Sequence, residues 1–223
     1  KLGRYWLENR VDKLIEPDGS FSQYSLNYHR MMLDTVSFTE IWREKLKLKS
    51  FTSNFYKQVA SSSLWMYQMI SPINGDGPNI GANDGSHLLQ LTDSSYRDYR
   101  PSVHLAVRLF CKKIAFEAPG QWNNHLLWLG VSEAELNPPK YKNCDYDFGG
   151  YKILRYGNSS VFFKYPSYKY RPSQADSMHV DLWINGVNIF GDAGTYSYNS
   201  TPDLSTYFSG TRSHNTIQFD DRD

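Results

Sequence analysis

The 223-residue sequence is poor in cysteine: Cys111 and Cys144 are the whole complement. Two isolated thiols build neither a disulfide framework nor a CxxC metal knuckle. No apolar run approaches the roughly 18 residues that a membrane-spanning helix needs. The start, "KLGRYW", carries no methionine and no apolar leader, as a processed secreted protein or an excised fragment would read. Charge of one sign is lacking too, with 24 Lys and Arg against 23 Asp and Glu. A net charge of +1 supplies no field that would favour nucleic acid or an anionic membrane as partner. Internal repeats and low-complexity tracts are also missing. What the chain has in abundance is aromatic side chains, 17 Tyr, 12 Phe and 6 Trp. Rings with a polar tip suit both β-rich cores and faces that stack on sugars.

The periodicity changes along the chain. Residues 3–15, 24–48, 53–70, 100–116 and 121–131 read as helices with apolar residues at three- and four-residue spacing. "EPDGS", Pro72 and "NGDGPNIGANDGS" punctuate them, and Pro101 stands at a plausible first helical position. Past "NPPK" at 137–140 the pattern becomes period two in "YKILRYG", "SVFFKYP", "DLWING", "VNIFGD" and "NTIQFD", the signature of antiparallel strands. Helices first and strands afterwards predict an α+β chain with a helical part at 1–138 and a β part at 139–223.

The stretch "QADSMHVDLWINGVNIFGDAGTYSY", residues 174–198, places histidine and aspartate beside a strand. Val180, Leu182 and Ile184 share one strand face, and His179, Asp181 and Trp183 the other. Asn185-Gly186 predicts a two-residue type I′ turn, which pairs Ile184 with Val187 and Leu182 with Ile189. Continued without a bulge, that register sets His179 opposite Asp192. Such a pair is either a structural hydrogen bond or an oriented imidazole for acid–base chemistry or metal binding; the hairpin alone leaves both open.

The later stretch "DAGTYSY…GTRSHNT", with "PDGSFSQYSLNYHRMMLD", "GPNIGANDG" and "YRDYRPSV" before it, resembles the heparinase II/III-like polysaccharide lyases. The resemblance implies the later helices of an incomplete (α/α) toroid followed by the first strands of an antiparallel β-sandwich. It also implies a fragment, since 223 residues are too few for a complete member. Those lyases cleave uronic-acid-containing polysaccharides by β-elimination, which expects an acidic polysaccharide such as a glycosaminoglycan as partner and a periplasmic or secreted location. Elimination needs a donor to neutralise the uronate carboxylate, a base for the C5 proton and an acid for the departing O4. Tyrosine serves as base only once its ordinary pKa near 10 is lowered.

Carried onto this sequence, the resemblance places the carboxylate-neutralising group at Asn27, Tyr28 or His29, with His29 the best match. It offers Tyr196, Tyr198 and Tyr207 as groove tyrosines, Arg212 as an anion contact or tyrosine activator, and Asp192 and His214 as ligands of a structural zinc. Two family features are replaced. Where a His-x-His-x-Asp segment is usual, residues 172–176 read Pro-Ser-Gln-Ala-Asp, and Gln174 is a poor zinc ligand. Where the toroid supplies a tyrosine, residues 83–85 read Asn-Asp-Gly and the nearest tyrosine is Tyr96. His179 is the candidate to stand in for a lost histidine. Three readings follow as expectations: an active lyase using His29, Asn27, Tyr198, Tyr207, Arg212 and His179; an inert relative that binds acidic glycan or serves surface-polysaccharide metabolism; or a structural role in which the β part only packs against the toroid.

Overall fold

The computed structural model describes residues 1–132, 137–166, 168–170 and 174–222. Three long helices come first: α1 (Leu2–Leu14), α2 (Leu26–Lys45) and α3 (Ser53–Met69). Side-chain caps fix two of their starts. Ser25 accepts from the Tyr28 amide and Thr52 from that of Phe55, each satisfying a donor that the first helical turn leaves open. Helix α4 (Arg100–Ala106) carries Pro101 in its first turn and continues as a π-helical stretch, Val107–Cys111. Lys112, in the left-handed region at φ 58°, ends it, so the helix stops short of residue 116. A short turn, Gln121–Asn123, leads into α5 (Asn124–Leu129).

The strands form one antiparallel meander in the order β1 (Cys144–Tyr146), β2 (Tyr151–Tyr156), β3 (Ser159–Lys164), β4 (Val180–Ile184), β5 (Val187–Phe190). Asn185 and Gly186 have φ of 51° and 79°, the positive pair that a type I′ turn requires. Ile184 faces Val187 and Trp183 faces Asn188, as the turn dictates, but Leu182 then faces Phe190. Ile189 is the extra residue of a bulge, so the uninterrupted register through to His179 and Asp192 is not formed.

Two further expectations about the β part are corrected. "NTIQFD" forms no strand, making only an isolated bridge between Phe219 and Arg222. The tyrosine-bearing loop beyond residue 198 contains a helix, α6 (Pro202–Ser209), opened by Thr201 and Pro202, followed by a tight turn at Thr211–Ser213.

One core serves both parts. Leu33, Val36, Phe55, Val59, Trp65, Met66 and Val103 pack together from the helices, and Tyr151, Ile153 and Phe162 of the sheet join them. Trp65 is the joint: its ring stacks on His29 at 4.5 Å and meets Tyr151 edge-on at 5.3 Å. Truncating a buried tryptophan removes transfer energy and leaves a cavity. Trp65→Ala is therefore expected to lower unfolding stability by about 3–5 kcal/mol, read from the midpoint of denaturant unfolding. A loss below about 1 kcal/mol would mean that helices and sheet do not share this core.

Candidate functional site

The inner face of β4 is polar. His179 and Asp181 are fully buried and Trp183 nearly so, while Val180 and Leu182 are half-buried and Ile184 is exposed. The face with the histidine is thus the one turned inward. Buried polar groups persist only when hydrogen-bonded, and these are. Asp181 accepts from the Trp183 indole and, at 3.1 Å, from Asn188 Nδ2. The Asn215 amide donates to His179 Nδ1 at 3.2 Å, leaving the ring proton on Nε2, 3.4 Å from Asp181 Oδ2. Asp176 is buried beside this face in an ion pair with Lys164 and accepts from Tyr168 Oη at 2.9 Å. Burial lowers the Lys164 ammonium below the ordinary lysine range, against the pull of Asp176.

Despite the bulge, Asp192 meets His179. Asp192 Oδ2 lies 3.0 Å from His214 Nδ1 and 3.7 Å from His179 Nδ1, with all three side chains fully buried. Their ligand atoms fall within 4.8 Å of one another. Tetrahedral zinc with bonds of about 2.0–2.2 Å separates its ligand atoms by about 3.4 Å, and two imidazoles with a carboxylate suit that ion. Asp181 behind His179 is the outer carboxylate that orients a ligating imidazole. The residues therefore fit a zinc ion.

The same Asp192 anchors the next segment. Its Oδ1 accepts from the Gly194 amide at 2.7 Å. Gly194, at φ 73°, presses on Asn79, where an added Cβ would come 2.1 Å from Asn79 Nδ2, so only glycine fits. Thr195 Oγ1 then accepts from the Asn83 amide at 3.0 Å and donates to Gly81 O at 3.2 Å. These bonds seat the 192–198 segment on the loop before α4 and aim Tyr198 at the start of α2.

A groove results where the helical and β parts meet. A cavity of about 480 Å³ is lined by Asn79, Asn83, Asp84, Tyr96, Tyr196 and Tyr198 among others. A second, of about 300 Å³, is lined by Ala82, Gln174, Ser205 and Phe208. Thr195, Ser197 and Tyr198 belong to both walls. Tyr28 and Tyr198 hydroxyls lie 2.7 Å apart. Partial burial, the bond to Tyr198 and the nearby Asp84 carboxylate hold the Tyr28 phenol above the ordinary tyrosine range. Asp84 is held below the usual carboxylate range, chiefly by its bonds from Ser86. Gln174 is buried, and its Oε1 has no partner among the described residues.

The other expected site residues lie elsewhere. His29 is not on the groove: it is buried between α2 and α3, against Trp65, with Nε2 at 2.8 Å from Ser62 Oγ. The reason is helical register. Positions 29, 33, 36, 37 and 40 face the core, and Tyr28, one step round the helix, is half-buried and meets the Tyr198 hydroxyl. Asn27 is also buried, accepting from Arg30 Nη2 at 2.5 Å, with its own Nδ2 unpartnered. Arg212 is exposed and bonded to Asp221 at 3.0 Å; with Tyr207 it lines a separate surface cavity. It therefore touches neither groove tyrosine. Pro172 and Ser173 lie outside the described residues. Of Asn27, Tyr28 and His29, the three candidates for the carboxylate-neutralising group, it is Tyr28 and not the best match His29 that reaches Tyr198.

Residues 139–223 match the family described as Heparinase II/III-like, C-terminal. No curated protein matches the chain. Solved structures with the same fold include a heparinase III gene product, at TM-score 0.70 and 16% identity over 99% of this chain and 33% of that one. They also include heparinase III, at 0.70 and 20% over 98% and 34%, and heparan sulfate lyase HepC from Pedobacter heparinus, at 0.68 and 18% over 99% and 33%. The likeness is one of fold, and this chain spans about a third of each of those chains.

Burial pulls the imidazole of His29 down to about 3 and those of His104 and His125 to about 4. All three are neutral in the fold and gain a proton on unfolding once the pH drops below the ordinary value of 6.5. Their stabilising effect is whole above that value and is lost as pH falls toward 4 and then 3. Each contributes a slope of up to about 1.4 kcal/mol per pH unit in that window. The denaturant midpoint is expected to fall between about pH 7 and about pH 5, and less steeply in His29→Gln. A midpoint flat across that range would mean that these rings are solvated.

Proposed function

We propose that this chain, whose residues 139–223 belong to the heparinase II/III-like C-terminal family, is the groove-bearing part of a polysaccharide lyase. Its substrate on this reading is a uronic-acid-containing acidic polysaccharide, cleaved by β-elimination. One observation carries it: Tyr198, at the end of the segment anchored by Asp192, forms the shared wall of two adjoining polar and aromatic cavities. Asparagine amides, hydroxyls and phenol rings are the groups that bind sugars by hydrogen bonds and ring stacking. On this reading Tyr198 touches the bond between sugars lying in the two cavities.

The chemistry assigned to the groove is proton transfer by phenols. The side-chain amide of Gln174, which lines the second cavity and donates to Thr195 Oγ1 at 3.5 Å, is the group proposed to offer its other N–H to the uronate carboxylate. Neutralising that carboxylate makes the C5 proton removable. Arg30 does not serve here: its guanidinium is buried, bonded to Tyr96 O at 2.6 Å and Asn27, and packed between the rings of Tyr96 and Tyr99. His179, Asp192 and His214 would hold a zinc ion, which when bound would tie β4 to the segments at 192 and 214 and so stiffen the groove wall. A second reading, an inert glycan-binding relative, is favoured by Gln174, since an amide beside Tyr198 neither gives nor takes a proton.

The deciding experiment follows ultraviolet absorbance of the new C4–C5 double bond when the protein meets heparan sulfate, alginate and related uronates. Absorbance that grows with time supports the lyase. Polysaccharide binding with no absorbance supports the inert relative. Metal analysis of the purified protein is expected to find zinc, and His214→Ala to lose it together with a lowered thermal midpoint. Wild-type protein free of zinc and indifferent to chelator would remove the metal assignment.

A further inference from the structure

Resting on the lyase reading, we propose that Tyr28 and Tyr198 are the acid and base of the elimination, joined by a bond that returns the proton between turnovers. The two phenols stand 170 positions apart in the chain, yet their oxygens lie 2.7 Å from one another, within the ordinary O–H···O range. Tyr28 comes from the first turn of α2, fixed by the Ser25 cap, and Tyr198 from the segment fixed by Asp192 and Thr195. Both are thus delivered by anchored backbone. Tyr198 belongs to the walls of both cavities and carries the Tyr28 hydroxyl against it, so on this reading a glycosidic oxygen and its neighbouring C5 are set against this pair.

The step balances with these groups alone. In the proposed step Tyr198 acts as the phenolate base, with the Tyr28 hydroxyl at 2.7 Å as its hydrogen-bond donor. Its oxygen takes the C5 proton, and the electrons of that C–H bond become the C4–C5 double bond. The C4–O4 bond breaks, and O4 takes the hydroxyl proton of Tyr28. Tyr28 is left as phenolate and Tyr198 as phenol, and one proton passed along the bond between them restores the starting state. No water, oxidant or imidazole is consumed. The roles follow from position: Tyr28 is the more buried phenol and has Asp84 beside it, so it holds its proton more firmly and is the one restored as acid.

A bond of this kind can equally serve only to tie the helical part to the β part, and the test separates the two roles. Tyr28→Phe, Tyr198→Phe and the double variant of the full-length protein are compared with wild type for unsaturated-product formation and for polysaccharide binding. The free proteins are also followed by ultraviolet titration of tyrosinate. The relay expects kcat to fall about 10²- to 10⁴-fold in each single variant, with KM within about threefold and the double variant no worse than the slower single one. It also expects Tyr28 to ionise at lower pH in Tyr198→Phe, because the bond to Tyr198 that helps hold its proton is gone. Tyr28→Phe turning over within threefold of an active wild type overturns the relay and leaves the lyase reading standing. A wild type that forms no unsaturated product from any uronate polysaccharide overturns both, and is distinguished because the native protein itself is silent.

Discussion

The carboxylate of Asp192 organises this structure at three levels. Locally, its Oδ1 accepts from the Gly194 amide, turning the chain where the bulged hairpin ends. In the packing, its Oδ2 faces His214 and His179, binding three separated segments under the inner face of the sheet. Through Gly194 and Thr195 it then fixes where Tyr198 stands. A buried carboxylate is costly unless every lone pair is used. Here the Gly194 amide and the His214 imidazole each supply a bond, so part of the cost of burial is offset in the conformation that also forms the groove. Removing the carboxylate would leave the buried His214 imidazole and the Gly194 amide without their acceptor, and the consequence would reach Tyr198.

The sheet inverts the usual amphipathic logic, and the inversion is what joins stability to function. On β4 the half-exposed positions are Val180, Leu182 and Ile184, while His179, Asp181 and Trp183 go inside. Hydrophobic burial falls instead to Tyr151, Ile153 and Phe162, which meet Trp65 and the helices. One layer thus has an apolar region that welds it to α3 and a polar region that grips the 192–214 segment. The polar region resists mechanical displacement by directed bonds, the apolar one by packed volume. A groove lying between such supports keeps its geometry without a bound ligand.

How much of this was legible follows from the kind of signal each element emits. α1, α2 and α3 are long, periodic and, at Ser25 and Thr52, capped, and their bounds fall within two or three residues of the pattern. The turn at Asn185-Gly186 was legible because positive φ at both positions leaves few residue choices. The bulge at Ile189 was not, since nothing in "VNIFGD" distinguishes a skipped residue from a paired one. α6 gave a signal in Thr201-Pro202-Asp203, a cap, a first-turn proline and an acidic first-turn residue, but its tyrosines drew the reading toward a loop. "NTIQFD" shows that period two is necessary and not sufficient: a strand is a pairing, and this run finds one bridge among the described residues. In the site, Asp192 and His214 came from the resemblance, and His179 comes near Asp192 although the unbulged register that predicted it is not formed. His29 was not placed correctly, because "NYH" fixes three successive helical directions and the sequence does not say which faces the groove.

The withdrawal of histidine from the groove changes the chemistry available there. The chain has six histidines. His29, His104 and His125 lie in the helical core, His179 and His214 beneath the sheet, and His87 stands half-buried, edge-on to Tyr96. None lines either groove cavity. The side chain best suited to proton transfer near neutral pH is therefore spent on structure, and the groove's titratable groups are phenols and Asp84. A phenol is a poor base until ionised, so the working fraction of such a groove rises with pH over a range where imidazoles no longer change charge. Burial, the bond to Tyr198 and the nearby Asp84 push Tyr28 further that way. The asymmetry between two chemically identical side chains comes from unequal burial and one nearby carboxylate, which is how a pair of like groups is divided into acid and base.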